Sequence, residues 1–249
     1  MDKRVGLLGI LLFLFSSASA QNWGGGIDDE NIHFGFTFQY INSHYKVDKK
    51  PGWRKPFQDP VNGIPVTDSL SALYGKGAPG FGIGFVVNGR ISDHIDARLT
   101  PILVFSDRLM EYAYIQPGSG KMPFSSIEQK ISPTMVEFPL GIKIKSDRRN
   151  NFRAYMLYGA KYSMDIASKK KTDDSGQDYL YKLLKNNKNY FSYEAGIGMD
   201  FYFEYFKMSP EIKLSYSINN LLNADEPNPY NAPINKLMLR HVTFSLFFE

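Results

Sequence analysis

Val136-Glu137-Phe138-Pro139-Leu140-Gly141-Ile142-Lys143-Ile144-Lys145 is the stretch from which the fold is read. Val136, Phe138, Leu140, Ile142 and Ile144 fall on one parity, and Glu137, Gly141, Lys143 and Lys145 on the other. Successive strand side chains point to opposite faces, so the run sets an oily face against a charged one. The same period recurs seven more times. On the N-terminal side, Phe34, Phe36, Phe38 and Tyr40 alternate with Gly35, Thr37 and Gln39. Phe81, Ile83, Phe85 and Val87 alternate with Gly80, Gly82, Gly84, Asn88 and Arg90. Ile95, Ala97, Leu99, Leu103 and Phe105 oppose Asp96, Arg98 and Thr100. On the C-terminal side, Ala154, Met156, Tyr158, Ala160 and Tyr162 oppose Arg153, Gly159, Lys161 and Ser163. Phe191, Tyr193, Ala195, Ile197, Met199 and Phe201 oppose Ser192, Glu194, Gly196, Gly198 and Asp200. Ile212, Leu214, Tyr216 and Ile218 face away from Glu211, Lys213, Ser215 and Ser217, and Val242, Phe244, Leu246 and Phe248 from His241, Thr243 and Ser245. Each stretch is about the 9–11 residues that a tilted strand needs to cross a hydrocarbon layer.

A soluble sandwich or lipocalin-like barrel would turn the apolar parity inward and leave the other parity wet. Charge on so many strands, interspersed with glycine, suits a lumen better, because exposed strand surfaces disfavour Gly. Mean hydropathy is −0.30 although aromatic residues reach 15%. A transmembrane barrel has this balance, since only alternate residues meet lipid. The pattern predicts an all-β, eight-stranded antiparallel transmembrane β-barrel of the Gram-negative outer-membrane type.

Residues 1–20 read as a signal peptide. Lys3 and Arg4 precede an apolar Val5 to Phe15 and the small-x-small Ala18-Ser19-Ala20, so the mature chain is expected to begin at Gln21. The apolar run is well short of the roughly 20 residues of a spanning helix. Residues 21–31 are expected to form a periplasmic tail, and 32–249 the barrel. Long external loops are expected at 43–79, 106–130, 167–189 and 219–236, with short periplasmic links at 92–94, 146–151 and 204–207. That alternation is the habit of outer-membrane barrels, and an even strand number puts both termini in the periplasm. There is no cysteine, which removes disulfides, thiolate nucleophiles and cysteine metal sites. The net charge of +4 does not argue for nucleic acid.

The inward parity carries Asp96, Glu137, Asp165, Glu194, Asp200 and Glu211 with Arg98, Lys143, Arg153, Lys161 and Lys213, read as a paired network filling a narrow lumen. A proton or ion path is the alternative reading. Gly80, Gly82, Gly84, Gly196, Gly198 and Ser192 leave room for the long charged side chains. Phe105, Phe152, Tyr162, Phe191, Phe201, Tyr205 and Phe206 lie near strand ends, as interfacial girdles do.

No catalytic, cofactor-binding or metal site is assigned. His33, His44, His94 and His241 have no ligand-like spacing. Gly80-Phe81-Gly82-Ile83-Gly84 lies inside a strand pattern with no following helix, so it lacks the geometry of a phosphate-binding loop. His44 and Asp48 are the residues on which a rim-active hydrolase or acyltransferase would rest, with no serine fixed beside them. The run Lys169-Lys170-Lys171 with Asp173 and Asp174 reads as a solvated loop tip. Tyr179, Leu180, Leu183 and Leu184 have helical spacing, and Trp53 and Phe57 make the first long loop apolar enough to cap the mouth or meet a partner.

The residues Val136-Glu137-Phe138-Pro139-Leu140, Lys143-Ile144-Lys145-Ser146-Asp147-Arg148-Arg149 and Tyr158-Gly159-Ala160-Lys161-Tyr162 resemble the PorT family of Bacteroidetes. So do Pro210-Glu211-Ile212-Lys213-Leu214-Ser215-Tyr216, Asn220-Leu221-Leu222 and the stretch from Val242 to Glu249. The resemblance extends over nearly the whole mature chain. It implies an accessory barrel of the type IX secretion system, which exports proteases, adhesins and gliding-motility proteins, and not the translocation pore. Its implied partners are outer-membrane lipid and other components of that system, with no nucleic acid or small-molecule substrate. Glu249 after Phe248 departs from the aromatic ending usual in barrel assembly signals. A rim-active enzyme and a stand-alone adhesin or structural barrel are the competing functions.

Overall fold

The computed structural model describes residues 31–115, 124–167, 178–224 and 228–249. The expected signal peptide, the start at Gln21, the tail up to Glu30 and the Lys169–Asp174 charge run lie outside the described residues. The strands are β1 (Ile32–Lys49), β2 (Leu70–Lys76), β3 (Ala78–Ser92), β4 (Ile95–Leu99), β5 (Ile102–Ser106) and β6 (Arg108–Tyr114). They continue as β7 (Ser126–Ile131), β8 (Thr134–Lys145), β9 (Phe152–Asp165), β10 (Asn189–Tyr202), β11 (Lys207–Ser217) and β12 (Ile234–Phe248).

Strands β1, β3, β4 with β5, β8, β9, β10, β11 and β12 form an antiparallel ring, closed where β1 pairs with β12 on one side and β3 on the other. This is an eight-stranded barrel. Its third stave is two strands because Thr100 and Pro101 interrupt it, a proline having no N–H for the ladder. The register carries straight through, with Leu99 opposite Leu140 and Ile102 opposite Glu137. The short links are tight. Asn150, at φ 54°, is the first residue of a two-residue turn between Arg149 and Phe152, whose backbones hydrogen-bond to each other.

The outward parity is apolar over a belt containing Phe36, Phe38, Tyr40, Ile142, Tyr193 and Phe244. Ring pairs mark its edges, with Tyr162 and Phe191 at 5.0 Å towards the long loops and Phe152 and Phe201 at 5.7 Å towards the short turns. At 18 residues, β1 is roughly 60 Å long, far more than an apolar band about 25 Å tall requires even at a 40° tilt. Its polarity therefore inverts along its length. As far as Tyr40 the outward residues are apolar and Thr37 and Gln39 point in; beyond it Asn42, His44, Lys46 and Asp48 point out while Ile41 and Tyr45 are buried. On β12 Leu237 and Leu239 are buried near the long-loop end, and Thr243 and Ser245 take their place farther down.

This inversion corrects the loop boundaries. Segment 43–79 contains the end of β1 and all of β2, and 106–130 contains β6 and most of β7. A rule that asks for apolar residues on the outward parity ends β1 at Tyr40, although the strand continues into water around an apolar interior. The helical spacing at Tyr179–Leu184 yields a single 3₁₀ turn, Tyr179–Tyr181, because Lys182 returns to extended backbone.

Candidate functional site

Two features of the barrel are unusual enough to bear on function, the filled lumen and the dome over its long-loop end. The lumen network has two tiers. Nearer the short turns, the buried Arg98 guanidinium meets Glu211 Oε2 at 3.0 Å and Glu249 Oε1 at 3.4 Å, and donates to Asn88 Oδ1 at 2.8 Å. Phe247 lies 4.4 Å beneath the guanidinium. Tyr155 donates to Glu211 at 3.0 Å, and Lys207 reaches Glu249 at 2.9 Å. Lys143 places Nζ 2.8 and 2.7 Å from the two oxygens of Asp200, which also accepts from Ser209 at 2.6 Å. Lys145 pairs with Asp96 at 2.6 Å.

In the upper tier Lys161 meets Glu137 at 2.8 Å and Glu194 at 3.4 Å, while Lys213 holds the other oxygen of Glu194 at 3.1 Å. Nδ1 of His241 lies 3.3 Å from Lys161 and, since an ammonium only donates, accepts. Between the tiers a void of about 10 Å³, bounded in part by Arg98, Glu194, Glu211 and Lys213, has room for about one water. Each charge is bought out of bulk water by a partner within the ring, the condition under which buried charge is tolerated.

Above the network the interior becomes apolar. Ile41, Ile102, Val104 and Met135 from the staves join Leu70, Leu73, Met110, Tyr112, Leu184, Leu221, Tyr230 and Leu237 in one buried cluster. The sheet β2-β6-β7 is the lid, with Arg108, Met110, Tyr112 and Tyr114 buried along β6. It docks closely on β1, since a Cβ on Gly75 would lie 2.6 Å from the Tyr45 carbonyl oxygen. Tyr112 donates to the Tyr230 carbonyl at 2.6 Å, and Tyr230 to the Leu180 carbonyl at 2.7 Å, tying three loop regions together. Burial pushes the dome phenols Tyr112, Tyr114 and Tyr230 above the ordinary tyrosine value, Tyr230 to about 12. On the rim, Lys76 is raised by its ion-paired hydrogen bonds to Glu111 and Glu128, and Glu111 is lowered in return.

Beside the lid is an open cleft of about 490 Å³. Trp53, Phe57, Tyr114, Pro229 and Pro233 line it, with Lys50 and Lys55 on its margin. Trp53 packs partly against the dome core, with Lys49 Nζ 4.1 Å from its ring. Phe57 packs at a tilt against Tyr179, with ring centroids 5.6 Å apart, and the Tyr179 hydroxyl donates to Asp59 at 3.3 Å, so the first and third loop regions are pinned together.

Of the charges expected inside, Asp96, Arg98, Glu137, Lys143, Lys161, Glu194, Asp200, Glu211 and Lys213 meet in the network. Asp165 does not; it caps the Ala167 N–H at 2.9 Å near the long-loop end. Arg153 is only half-buried, near the short turns. Lys207, expected in a short link, and Glu249, expected at the end of the barrel, also belong to the network; each lies on its strand's inward parity, one step beyond Ser209 and Phe247. His44 and Asp48 stand outward on β1, where Asp48 accepts from Asn235 at 2.8 Å. His94 pairs with Asp147 at 2.9 Å in the short turns, and Asp147 is held below the usual carboxylate value by that hydrogen bond. Among the described residues no three His, Asp or Glu side chains are grouped to hold a metal ion.

A family model described as the outer membrane protein beta-barrel domain matches residues 15–223. No curated protein matches the chain. Among solved structures, the outer membrane protein OprG from Pseudomonas aeruginosa is similar at 12% identity and a TM-score of 0.40, over 86% of this chain and 93% of that one. Neisserial surface protein A is similar at 9% identity and 0.39, over 88% and 98%. Ail, the attachment invasion locus protein of Yersinia pestis, crystallised with the heparin analogue sucrose octasulfate, is similar at 9% identity and 0.35, over 86% and 96%.

Proposed function

Since this chain belongs to the outer membrane protein beta-barrel domain family, we propose that this outer-membrane barrel is a non-enzymatic accessory of type IX protein secretion, and through it of gliding motility, acting by protein contacts. In this reading the short turns and both termini face the periplasm and the dome faces outward. The observation that carries it is a closed barrel. Among the described residues, charge pairs fill the lower lumen and an apolar core fills the upper, which leaves no room for a polypeptide. Such a barrel has its walls, its turns and its dome with which to act. The dome is built for contact, because its loop regions are packed into one body and do not pay the ordering entropy of a free loop on binding. The cleft at Trp53, with Lys50 and Lys55 at its margin, is the contact surface we assign, to a partner segment carrying acidic residues.

The test is a deletion strain in which the culture medium is assayed for secreted proteases and adhesins. Loss of these proteins to the periplasm, with membrane integrity retained, is expected. Complementation with Lys50→Glu/Lys55→Glu is expected to restore the barrel in the membrane but not full secretion. Normal secretion in the deletion strain would end this reading.

A further inference from the structure

We propose that the barrel wall carries a site for one anionic phospholipid, with an acyl chain in an oblique groove and the phosphate at the turn between β8 and β9. This is independent of any role in export. The register aligns Ile144, Met156, Ile197, Ile212 and Phe244 as one outward row across β8 to β12. Two residues nearer the short turns the row is Ser146, Ala154, Met199, Pro210 and Leu246, in which serine, alanine and proline add little bulk. The next row is large again, with Phe152, Phe201, Met208 and Phe248. The low row leaves a furrow beside the first ridge, seen as an apolar groove of about 570 Å³ lined by Ile144, Ser146, Ala154, Met156, Pro210 and Phe244, among others.

The slope of the groove follows from the stagger of the barrel. Ile144 is next to the last residue of β8 at the short-turn end, whereas Phe244 lies in the middle of the belt on β12. The row thus climbs away from the turn. Four strand spacings of about 4.8 Å, inclined at about 40°, rise roughly 12 Å, most of the depth of one leaflet of a hydrocarbon core about 30 Å thick. An acyl chain that starts at the membrane surface has this length and direction; a helix is too wide for a furrow one row deep.

The lower end of the groove is Ser146, and the turn that follows holds Asp147, Arg148 and Arg149. Asp147 is engaged by His94 at 2.9 Å. The Arg148 guanidinium is fixed by donation to the Asn150 carbonyl at 2.7 Å and by the Tyr202 ring at 3.9 Å, and Arg149 is exposed beside it. Two guanidinium groups at the level of the headgroups select a phosphate that carries net negative charge over a zwitterionic one.

The full chain, purified in detergent and incubated with mixed micelles of equal phosphatidylglycerol and phosphatidylcholine, would be examined by native mass spectrometry. The wild type is expected to retain one phosphatidylglycerol in preference to phosphatidylcholine by about fivefold or more, near the effect of one arginine at a membrane surface. Arg148→Gln/Arg149→Gln should abolish the preference, and Ala154→Phe, which fills the furrow, should abolish retention of both lipids. Equal retention of the two lipids by the wild type, unchanged preference in the arginine variant, or a dimer in place of the bound lipid overturns the site. If Ala154→Phe lacks the heat-dependent gel shift of a folded barrel, the arginine variant decides alone.

Discussion

Lys143 and Asp200 make the clearest case of what a single residue contributes here. Both side chains are essentially without solvent contact, and the ammonium also lies 3.9 Å from the Tyr155 ring. Lys143→Met removes one charge and leaves the other buried, at a cost of about 3–5 kcal/mol. Urea unfolding of the barrel in micelles is expected to shift by that amount, and Lys143→Met/Asp200→Leu to recover most of it. A single variant as stable as the wild type would mean that water reaches Asp200. That both residues face inward is legible from parity; that they meet is not, because they stand 57 positions apart in a chain that carries no mark of which staves face one another. Glu249 teaches the same lesson. It reads as an odd ending after Phe248, yet its side chain is enclosed between Arg98 and Lys207.

At the level of the element, β1 is a single strand with two solvents outside it and two interiors within. The half that ends at Tyr40 obeys the membrane rule and the half beyond obeys the rule for a soluble sheet. The dome built on that upper half should loosen separately from the barrel. Gly75→Ala drives a methyl group towards the Tyr45 carbonyl oxygen and is expected to lift β2 from β1. Hydrogen exchange should then quicken in β2, β6 and β7 while β8 to β11 remain protected; uniform protection would show that the lid does not depend on this contact. Alkali should act on the same element. Tyr112, Tyr114 and Tyr230 have folded values above the unfolded value near 10, so the unfolded dome binds fewer protons above that pH and stability falls as pH rises. The contribution is whole below pH 10 and is expected to fade as pH passes about 12, the value for Tyr230. Phenolate absorbance and near-ultraviolet dichroism should change together there, and early, independent ionisation of these phenols would contradict their burial.

Across the whole molecule, the lumen and the dome close the barrel at two levels. Planar bilayers containing the purified chain are expected to show no stepwise ion current at voltages that leave the barrel folded. Discrete steps would revive the reading of the charged lumen as an ion path. The belt imposes a further whole-molecule property. Phe34, Phe81, Phe85, Leu140 and Ile197 stand on the outer wall, so the protein requires lipid or detergent to remain monomeric.

Strict alternation, by itself, determined the staves, the face each residue takes and the charged character of the lumen, because a strand's two faces are set by local geometry alone. It did so wherever the outward solvent was oil. Who pairs with whom across the lumen, the continuation of β1 into water, and the assembly of β2, β6 and β7 into a lid were decided by the tertiary structure. The reason is physical. Those features depend on the stagger with which the ring closes and on which loop side chains share one apolar core, and neither is written in the period of any single segment.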